Sequence, residues 1–140
     1  MDKMNTVLIV DDDTSSLIDL GHILGSDYKV YAVTDGDSAI EKAKKSLPDL
    51  ILLDIVMPKK SGFEVLAELQ TTGITESIPV IFISGLESST EEEKGLSLGA
   101  VDYIRKPFNE VVVKNRVLNQ MKMVNLRREL KEAQNTEEHL

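Results

Sequence analysis

The strongest constraint on the fold is a regular alternation of short apolar runs with segments of helical periodicity, repeated five times along 140 residues. Such alternation predicts parallel strands, because a parallel connection needs a helix-length crossover whereas two residues suffice for a hairpin. The predicted strands are 6–10, 28–33, 50–53, 78–84 and 101–104, and the predicted helices are 14–26, 36–47, 62–70, 89–99 and a long stretch from about 109 onward. We therefore predict an α/β fold with a doubly wound, five-stranded parallel sheet.

The predicted sheet also indicates where a functional site should lie. Strands two, three and four are nearly continuous in apolar residues, as expected for strands buried on both faces. Right-handed crossovers place the C-terminal ends of all strands along one edge. In the order 2-1-3-4-5 the strand order reverses between strands one and three, and ligands of such sheets bind at that reversal.

Composition excludes several function classes. The formal net charge is −8, and no basic stripe stands out, so direct nucleic-acid binding is not expected. The absence of cysteine excludes disulfides and thiolate metal sites and fits a reducing cytoplasm. No signal peptide and no bilayer-spanning segment are recognisable, so we expect a cytoplasmic chain without membrane association.

Polar side chains follow the C-terminal ends of several predicted strands. Asp54 ends strand three, and an acid at the end of a buried strand is costly to desolvate unless it is paired. The other such residues are Asp11, Asp12 and Asp13 after strand one, Ser84 at the end of strand four, and Lys106 after strand five. Clustered carboxylates disfavour one another's ionisation, and a hard cation with oxygen ligands, Mg²⁺ rather than Zn²⁺, relieves that repulsion.

This combination describes a site for a phosphoryl group, in which cations neutralise its charge and one carboxylate is the nucleophile. Each residue also has an ordinary interpretation. Asp13 is expected to do little more than cap a helix, Ser84 alone could be a loop hydroxyl, Lys106 a surface lysine, and Tyr103 a core residue. Their coincidence at one sheet edge favours the functional interpretation.

Four segments carry a resemblance to a known family. "VLIVDDD", "LILLDIVMP", "VIFISG" and "GAVDYIRKPF" resemble, in order and spacing, the receiver domain of two-component response regulators over about residues 5–122. The resemblance implies a flavodoxin-like (βα)5 fold. It also implies a signalling domain rather than an enzyme. Such a domain catalyses only its own phosphorylation and dephosphorylation. A histidine kinase or phosphotransfer protein would supply the phosphoryl group from a phosphohistidine, and Asp54 would accept it.

The resemblance further implies a set of metal ligands. Mg²⁺ would be held by Asp12, Asp54 and the main-chain carbonyl of Val56, with Asp11 contributing through water. Val56 and Leu86 are apolar at two positions that, in this family, influence access of the hydrolysing water. We therefore hypothesise that the acyl phosphate on Asp54 is comparatively long-lived.

A second set of implied roles concerns the switch. Lys106 would contact the phosphoryl oxygens, and the Ser84 hydroxyl would move to bond one of them. Tyr103 would then turn inward and reshape the face made by helix four, strand five and helix five. The Lys106–Pro107 bond resembles the family's cis peptide, an isomer that proline makes accessible.

The C-terminal segment is predicted to extend the last helix. Met123, Leu126, Leu130 and Ala133 follow 3-4-3 spacing, which is typical of a coiled-coil seam, although a solvated charged tail has the same composition. We expect a receiver domain at 1–122 and a helical extension or linker at 123–140 that pairs two chains or leads to an output domain. A homodimer would form through this helix or through the face of helix four, strand five and helix five.

A phosphatase of the haloacid dehalogenase type is the alternative. Asp11 would then be the nucleophile and Asp13 the acid/base, with Ser84 and Lys106 in support. This alternative leaves Asp54 without a function, and no second acidic pair follows a later strand to complete the metal site.

Overall fold

Five strands alternate with five helices in the computed structural model, which describes residues 4–85 and 89–138. The strands are β1 (Thr6–Val10), β2 (Lys29–Val33), β3 (Leu50–Asp54), β4 (Val80–Ser84) and β5 (Asp102–Arg105). The helices are α1 (Thr14–Leu24), α2 (Gly36–Ser46), α3 (Gly62–Thr71), α4 (Ser89–Ser97) and α5 (Glu110–Glu138). The predicted alternation is confirmed, with most element ends displaced by one or two residues.

All strand pairs are parallel, and the order β2-β1-β3-β4-β5 confirms the prediction. The order reverses at β1 and β3, where Val10 is the partner of Leu53. The next residues of the two strands, Asp11 and Asp54, therefore emerge side by side at the C-terminal edge of the sheet.

Burial of the strands agrees with the prediction for β3 and β4 and contradicts it for β2. Every residue of β3 and β4 is buried. In β2, Lys29 and Ala32 are exposed and the other residues are half-buried, so the prediction that strand two is buried on both faces is wrong. The reason is that β2 is an edge strand, with β1 as its hydrogen-bonded neighbour. A charged residue such as the exposed Lys29 is typical of an edge strand, where it disfavours pairing with another chain.

Two hydrophobic cores lie on opposite faces of the sheet. Successive residues of β1 alternate between them, because side chains of a strand point to opposite faces with a period of two. Leu8 and Val10 join the core covered by α2 and α3, whereas Val7 and Ile9 join the core covered by α1 and α5. The sheet is thus held rigidly from both sides, and its C-terminal edge is a fixed platform for side chains.

Helix α5 continues well past the part that covers the sheet. Asn125 exchanges hydrogen bonds of 3.0 and 3.2 Å with Asn5, and Arg128 pairs with the buried Asp49 near the opposite end of the sheet. Contacts with the domain therefore reach beyond 122, the predicted boundary between receiver and extension, which stays a prediction.

The predicted coiled-coil seam lies on this same helix. Met123, Leu126 and Leu130 are exposed there, and their pairing with a second helix also stays a prediction. Across the described part of the chain, no helix combines the length and the apolarity that crossing a bilayer requires.

Candidate functional site

Three carboxylates meet at the C-terminal edge of the sheet. Asp11, Asp12 and Asp54 each present one oxygen, and these oxygens lie within 4.8 Å of one another. Asp11 is 0% and Asp54 is 6% exposed, whereas Asp12 is open to solvent. The cluster is therefore a partly buried pocket with one open side.

The turn between β1 and α1 orients the side chains of Asp11 and Asp13. The Asp11 side chain accepts a hydrogen bond of 2.9 Å from the Asp13 main-chain nitrogen. Asp13 caps α1 by accepting from the Ser15 nitrogen at 3.0 Å, and its hydrogen bonds from Ser15 hold its pKa below the usual value. Asp13 thus serves as the expected helix cap, and Asp11 points into the cluster.

The loop between β3 and α3 returns closely to the end of β3. The Gly62 nitrogen donates to the Ile55 carbonyl at 2.8 Å. A Cβ on Gly62 would lie 2.9 Å from the Ile55 Cα and closer still to the carbonyl oxygen of Asp54. Glycine is therefore required for this close approach. The sequence indicated Gly62 only as the start of the predicted helix 62–70, and it carries no signal of the contact with β3.

Lys106 completes the charge arrangement from the end of β5. Its Nζ lies 2.9 Å from Asp11 Oδ2 and 3.9 Å from Asp54 Oδ2. Burial opposes the charge of the ammonium, but the close contact with Asp11 and the charge of Asp54 raise the pKa of Lys106 overall. Its main-chain nitrogen donates to the Ser84 carbonyl at 2.9 Å, and the Lys106–Pro107 peptide bond is cis.

The ionisation of Asp54 is strongly perturbed. Burial, and then the neighbouring charge of Asp11, raise the pKa of Asp54 to about 8, although Lys106 acts in the opposite direction. The Lys106 ammonium is thus not enough to keep Asp54 ionised near neutral pH.

The pocket fits a hard divalent cation. Its donors are carboxylate oxygens, which Mg²⁺ prefers. Asp11 Oδ2 is buried and accepts no hydrogen bond of normal geometry, although the Lys106 Nζ is close to it. A buried anionic oxygen that has one ammonium beside it and two further carboxylates nearby is an arrangement that a bound cation would stabilise.

Ser84 lies one residue beyond Ile83, which is the strand partner of Asp54. The Ser84 side chain is 1% exposed, and its hydroxyl donates to Glu92 Oε1 on α4 at 3.3 Å. Glu92 is itself 5% exposed and pairs with Arg105 of β5. Neither Glu92 nor Arg105 could be singled out from the sequence, since "EEE" at 91–93 carries no signal that its middle residue is buried.

Tyr103 lies on β5, farther from the carboxylates. Its half-buried ring lies near two guanidinium groups, with centroid distances of 5.5 Å to Arg105 and 5.0 Å to Arg116. Arg116 also contacts the Tyr103 carbonyl and pairs with Asp102 at 3.0 Å. Tyr103 is therefore linked to the site through Arg105.

The remaining predicted positions flank the pocket. The Val56 side chain is 67% exposed next to β3 and presents only apolar atoms. Leu86 lies outside the described residues. The structure thus brings together Asp11, Asp12, Asp54 and Lys106, and it places Ser84 on the strand beside Asp54.

The chain is similar in sequence to known proteins. A family model described as "Response regulator receiver domain" matches residues 7–118. A Vibrio cholerae protein whose name describes it as a cyclic di-GMP phosphodiesterase is 41% identical over 112 residues, which are 80% of this chain and 25% of that protein. The transcriptional regulatory protein CiaR of Streptococcus pneumoniae is 38% identical over 114 residues, covering 81% of this chain and 50% of CiaR.

Solved structures show the same architecture. The chemotaxis response regulator CheY4 of Vibrio cholerae superimposes with a TM-score of 0.77 at 29% identity, covering 84% of this chain and 99% of that one. The chain spans a quarter to a half of the length of the two relatives above. None of these matches supports the alternative of a haloacid dehalogenase-type phosphatase with Asp11 as its nucleophile.

Proposed function

Because this chain belongs to the response regulator receiver domain family of two-component systems, we propose that it accepts a phosphoryl group on Asp54 in a Mg²⁺-dependent reaction. Its fold is the flavodoxin-like fold of receiver domains. The observation that carries the proposal is the position of Asp54, a buried carboxylate that shares one pocket with Asp11, Asp12 and the Lys106 ammonium.

The metal site would use the residues that were predicted as metal ligands from the sequence. Asp12, Asp54 and the main-chain carbonyl of Val56 would hold Mg²⁺, and Asp11 would contribute through water. When bound, the cation supplies positive charge that neutralises phosphoryl oxygens and carboxylates. It also favours the ionised form of Asp54, which the nucleophile requires.

The transfer itself needs a nucleophile and a cation placed beforehand. A carboxylate oxygen of Asp54 attacks phosphorus, the P–N bond of a phosphohistidine breaks, and its electron pair returns to the imidazole nitrogen. The product is an acyl phosphate on Asp54. Lys106 carries three donors and would contact the new phosphoryl oxygens, since its Nζ already lies 3.9 Å from Asp54 Oδ2.

The response would pass through Ser84 and Tyr103. Both lie on neighbouring strands, and Ser84 is the strand partner of Arg105, which contacts the Tyr103 ring. In the proposed switch the Ser84 hydroxyl bonds the phosphoryl group, and Tyr103 turns inward. The face formed by α4, β5 and α5 then changes shape.

Receiver domains interact with histidine kinases or phosphotransfer proteins, and we propose such a partner as the phosphodonor here. The receiver unit would end near 122, and 123–140 would connect it to an output domain or a second chain. Homodimers would use either the exposed seam of α5 or the α4–β5–α5 face. With a net charge of −8 we propose no direct contact with nucleic acid, and a cytoplasmic location.

The experiment is to identify the modified residue. The protein is incubated with Mg²⁺ and a small phosphodonor such as acetyl phosphate, the acyl phosphate is reduced with borohydride, and the labelled peptide is sequenced by mass spectrometry. We expect labelling at Asp54, loss of labelling with EDTA, and none in Asp54→Asn. Labelling at Asp11, or undiminished labelling of the variant, would refute the proposal.

A further inference from the structure

The Ser84 hydroxyl is already engaged by a residue outside the carboxylate pocket. Its proton is donated to Glu92 Oε1 at 3.3 Å. This distance is longer than the usual 2.5–3.0 Å for a hydroxyl donor, so the bond is a weak one that a stronger acceptor can displace. Both side chains are buried, which keeps water from competing for either of them.

Glu92 is held firmly on its other side. The Arg105 guanidinium donates to both carboxylate oxygens, through Nε to Oε1 at 2.6 Å and through Nη2 to Oε2 at 3.1 Å. A two-point pair of this kind fixes the orientation of the carboxylate as well as its charge. Glu92 on α4 is thereby fixed to β5, and its Oε1 is aimed at Ser84.

A hydroxyl has a single proton to donate. Ser84 therefore cannot donate to Glu92 and to a phosphoryl oxygen on Asp54 at the same time. We propose that Glu92 is a positioning residue that holds the Ser84 hydroxyl in the unphosphorylated domain, so that phosphorylation must break the Ser84–Glu92 bond. This inference rests on the proposed function of Asp54.

The exchange gives the switch a route to the surface. Release of Ser84 leaves the buried Glu92 with Arg105 as its remaining described partner. Arg105 contacts the Tyr103 ring as well, with 5.5 Å between guanidinium carbon and ring centroid. Loss of the Ser84 hydrogen bond at Glu92 therefore alters the contacts that position Arg105 and the Tyr103 ring. Both residues lie on the α4–β5–α5 face.

The test is a titration with beryllium fluoride, a phosphoryl mimic, at constant saturating Mg²⁺. Tyrosines are replaced biosynthetically by fluorotyrosine, which gives three protein signals, from Tyr28, Tyr31 and Tyr103, to follow by ¹⁹F NMR. Glu92→Gln keeps the size of the side chain but replaces a charged acceptor by a neutral one. We expect its titration midpoint to fall about fivefold, because charge-assisted hydrogen bonds are about twice as strong as neutral ones.

A second variant separates the hydrogen bond from the ion pair. Glu92→Asp keeps the charge beside Arg105 but draws the carboxylate back from Ser84, so its midpoint should also fall. Glu93→Gln is the matched control, since it removes the same charge from an exposed neighbour on α4 and should leave the midpoint unchanged. Circular dichroism melts in the absence of the mimic verify that each variant is folded.

A double-mutant cycle gives the decisive readout. In a Ser84→Ala background the hydroxyl is absent, and Glu92→Gln should change the midpoint by less than about twofold. If Glu92→Gln lowers the midpoint equally with and without the hydroxyl, Glu92 acts only on the packing of α4 and the inference is wrong. An unchanged midpoint in both Glu92 variants has the same consequence.

Failure of the proposed function would look different. In that case the parent protein would not bind beryllium fluoride in the presence of Mg²⁺, or the Asp54→Asn variant would bind it as well as the parent does. Saturable, Asp54-dependent binding by the parent, together with midpoints insensitive to Glu92, overturns this inference alone.

Discussion

Replacement of Asp54 by asparagine should stabilise the metal-free protein at neutral pH. The amide has nearly the shape of the carboxylate but carries no charge, so it removes the repulsion with Asp11 and the burial of a charge. In most proteins, loss of a buried polar group destabilises the fold. Here the structure predicts the opposite sign, which makes the experiment informative.

The magnitude follows from the ionisation of Asp54. Its pKa in the folded protein is raised from 3.8 to about 8. The folded state therefore keeps a proton that the unfolded state releases, so the free energy of unfolding falls as pH rises from about 4 to about 8. At 1.36 kcal/mol per pKa unit the limiting effect is roughly 6 kcal/mol. Protein interiors respond with an effective dielectric constant near 20, and we therefore expect on the order of 2 kcal/mol at pH 7.5.

The assay is urea unfolding followed by circular dichroism, with linear extrapolation to water. In EDTA at pH 7.5, Asp54→Asn should unfold at higher urea than the parent, and at pH 4.5 the two should nearly coincide. Saturating Mg²⁺ should close the gap at pH 7.5, because a ligand that binds only the folded parent adds about 2.7 kcal/mol at 100 times its Kd. Asp19→Asn, at an exposed position of α1, is the matched control and should show none of these changes.

Two results would refute the reasoning. The first is a variant in EDTA at pH 7.5 that is no more stable than the parent. The second is a gain in stability that does not shrink on acidification, since it would then come from packing rather than from the carboxylate charge.

Three further changes test other parts of the structure. Val56→Asn should speed phosphate release from the acyl phosphate about fivefold, by offering the attacking water a hydrogen bond of about 1 kcal/mol; a release rate no faster than the parent's would leave the long-lived phosphate without a basis. Gly62→Ala should lower the free energy of unfolding in urea by roughly 2 kcal/mol or more, because its Cβ meets the main chain at the end of β3. Gly21→Ala is the control and should raise this free energy by about 0.5 kcal/mol, because the space around its Cβ is open. Equal effects of the two substitutions would contradict the close approach at Gly62. Arg128→Gln should reduce the free energy of unfolding by roughly 1–2 kcal/mol, since it leaves the buried Asp49 carboxylate without its cation. An unchanged free energy of unfolding in the same urea assay would mean that this part of α5 is not anchored to the domain.

The two central strands and the edge strand show how far the sequence could predict burial. "LILL" and "VIFI" are buried on both faces, as their apolar runs indicated. "VYAV" has the same apolar character, but β2 lies at the margin of the sheet and is only half-covered. An apolar run shows that a strand can be buried on both faces, whereas the elements that pack beside the strand determine which of its residues are buried.

Glu92 shows a second limit. It is one of three consecutive glutamates, and helix periodicity alone cannot tell which of them faces the sheet. In the structure the middle one is buried because Arg105 of β5 and Ser84 of β4 converge on it. The candidate site could be predicted from the sequence, but this second layer of contacts around Ser84 could not.

The sequence by itself determined the alternation of strands and helices, the sheet edge on which reactive side chains gather, and their chemical types. Each of these is encoded within about ten consecutive residues, through hydrophobic periods of 2 and 3.6 and the residue that ends each strand. The tertiary structure alone decided that Lys106 lies closer to Asp11 than to Asp54, that Asp54 resists ionisation, that Glu92 engages Ser84, and that α5 contacts the domain as far as Arg128. These outcomes depend on distances and burial among residues far apart in the chain, which exist only once the chain has folded.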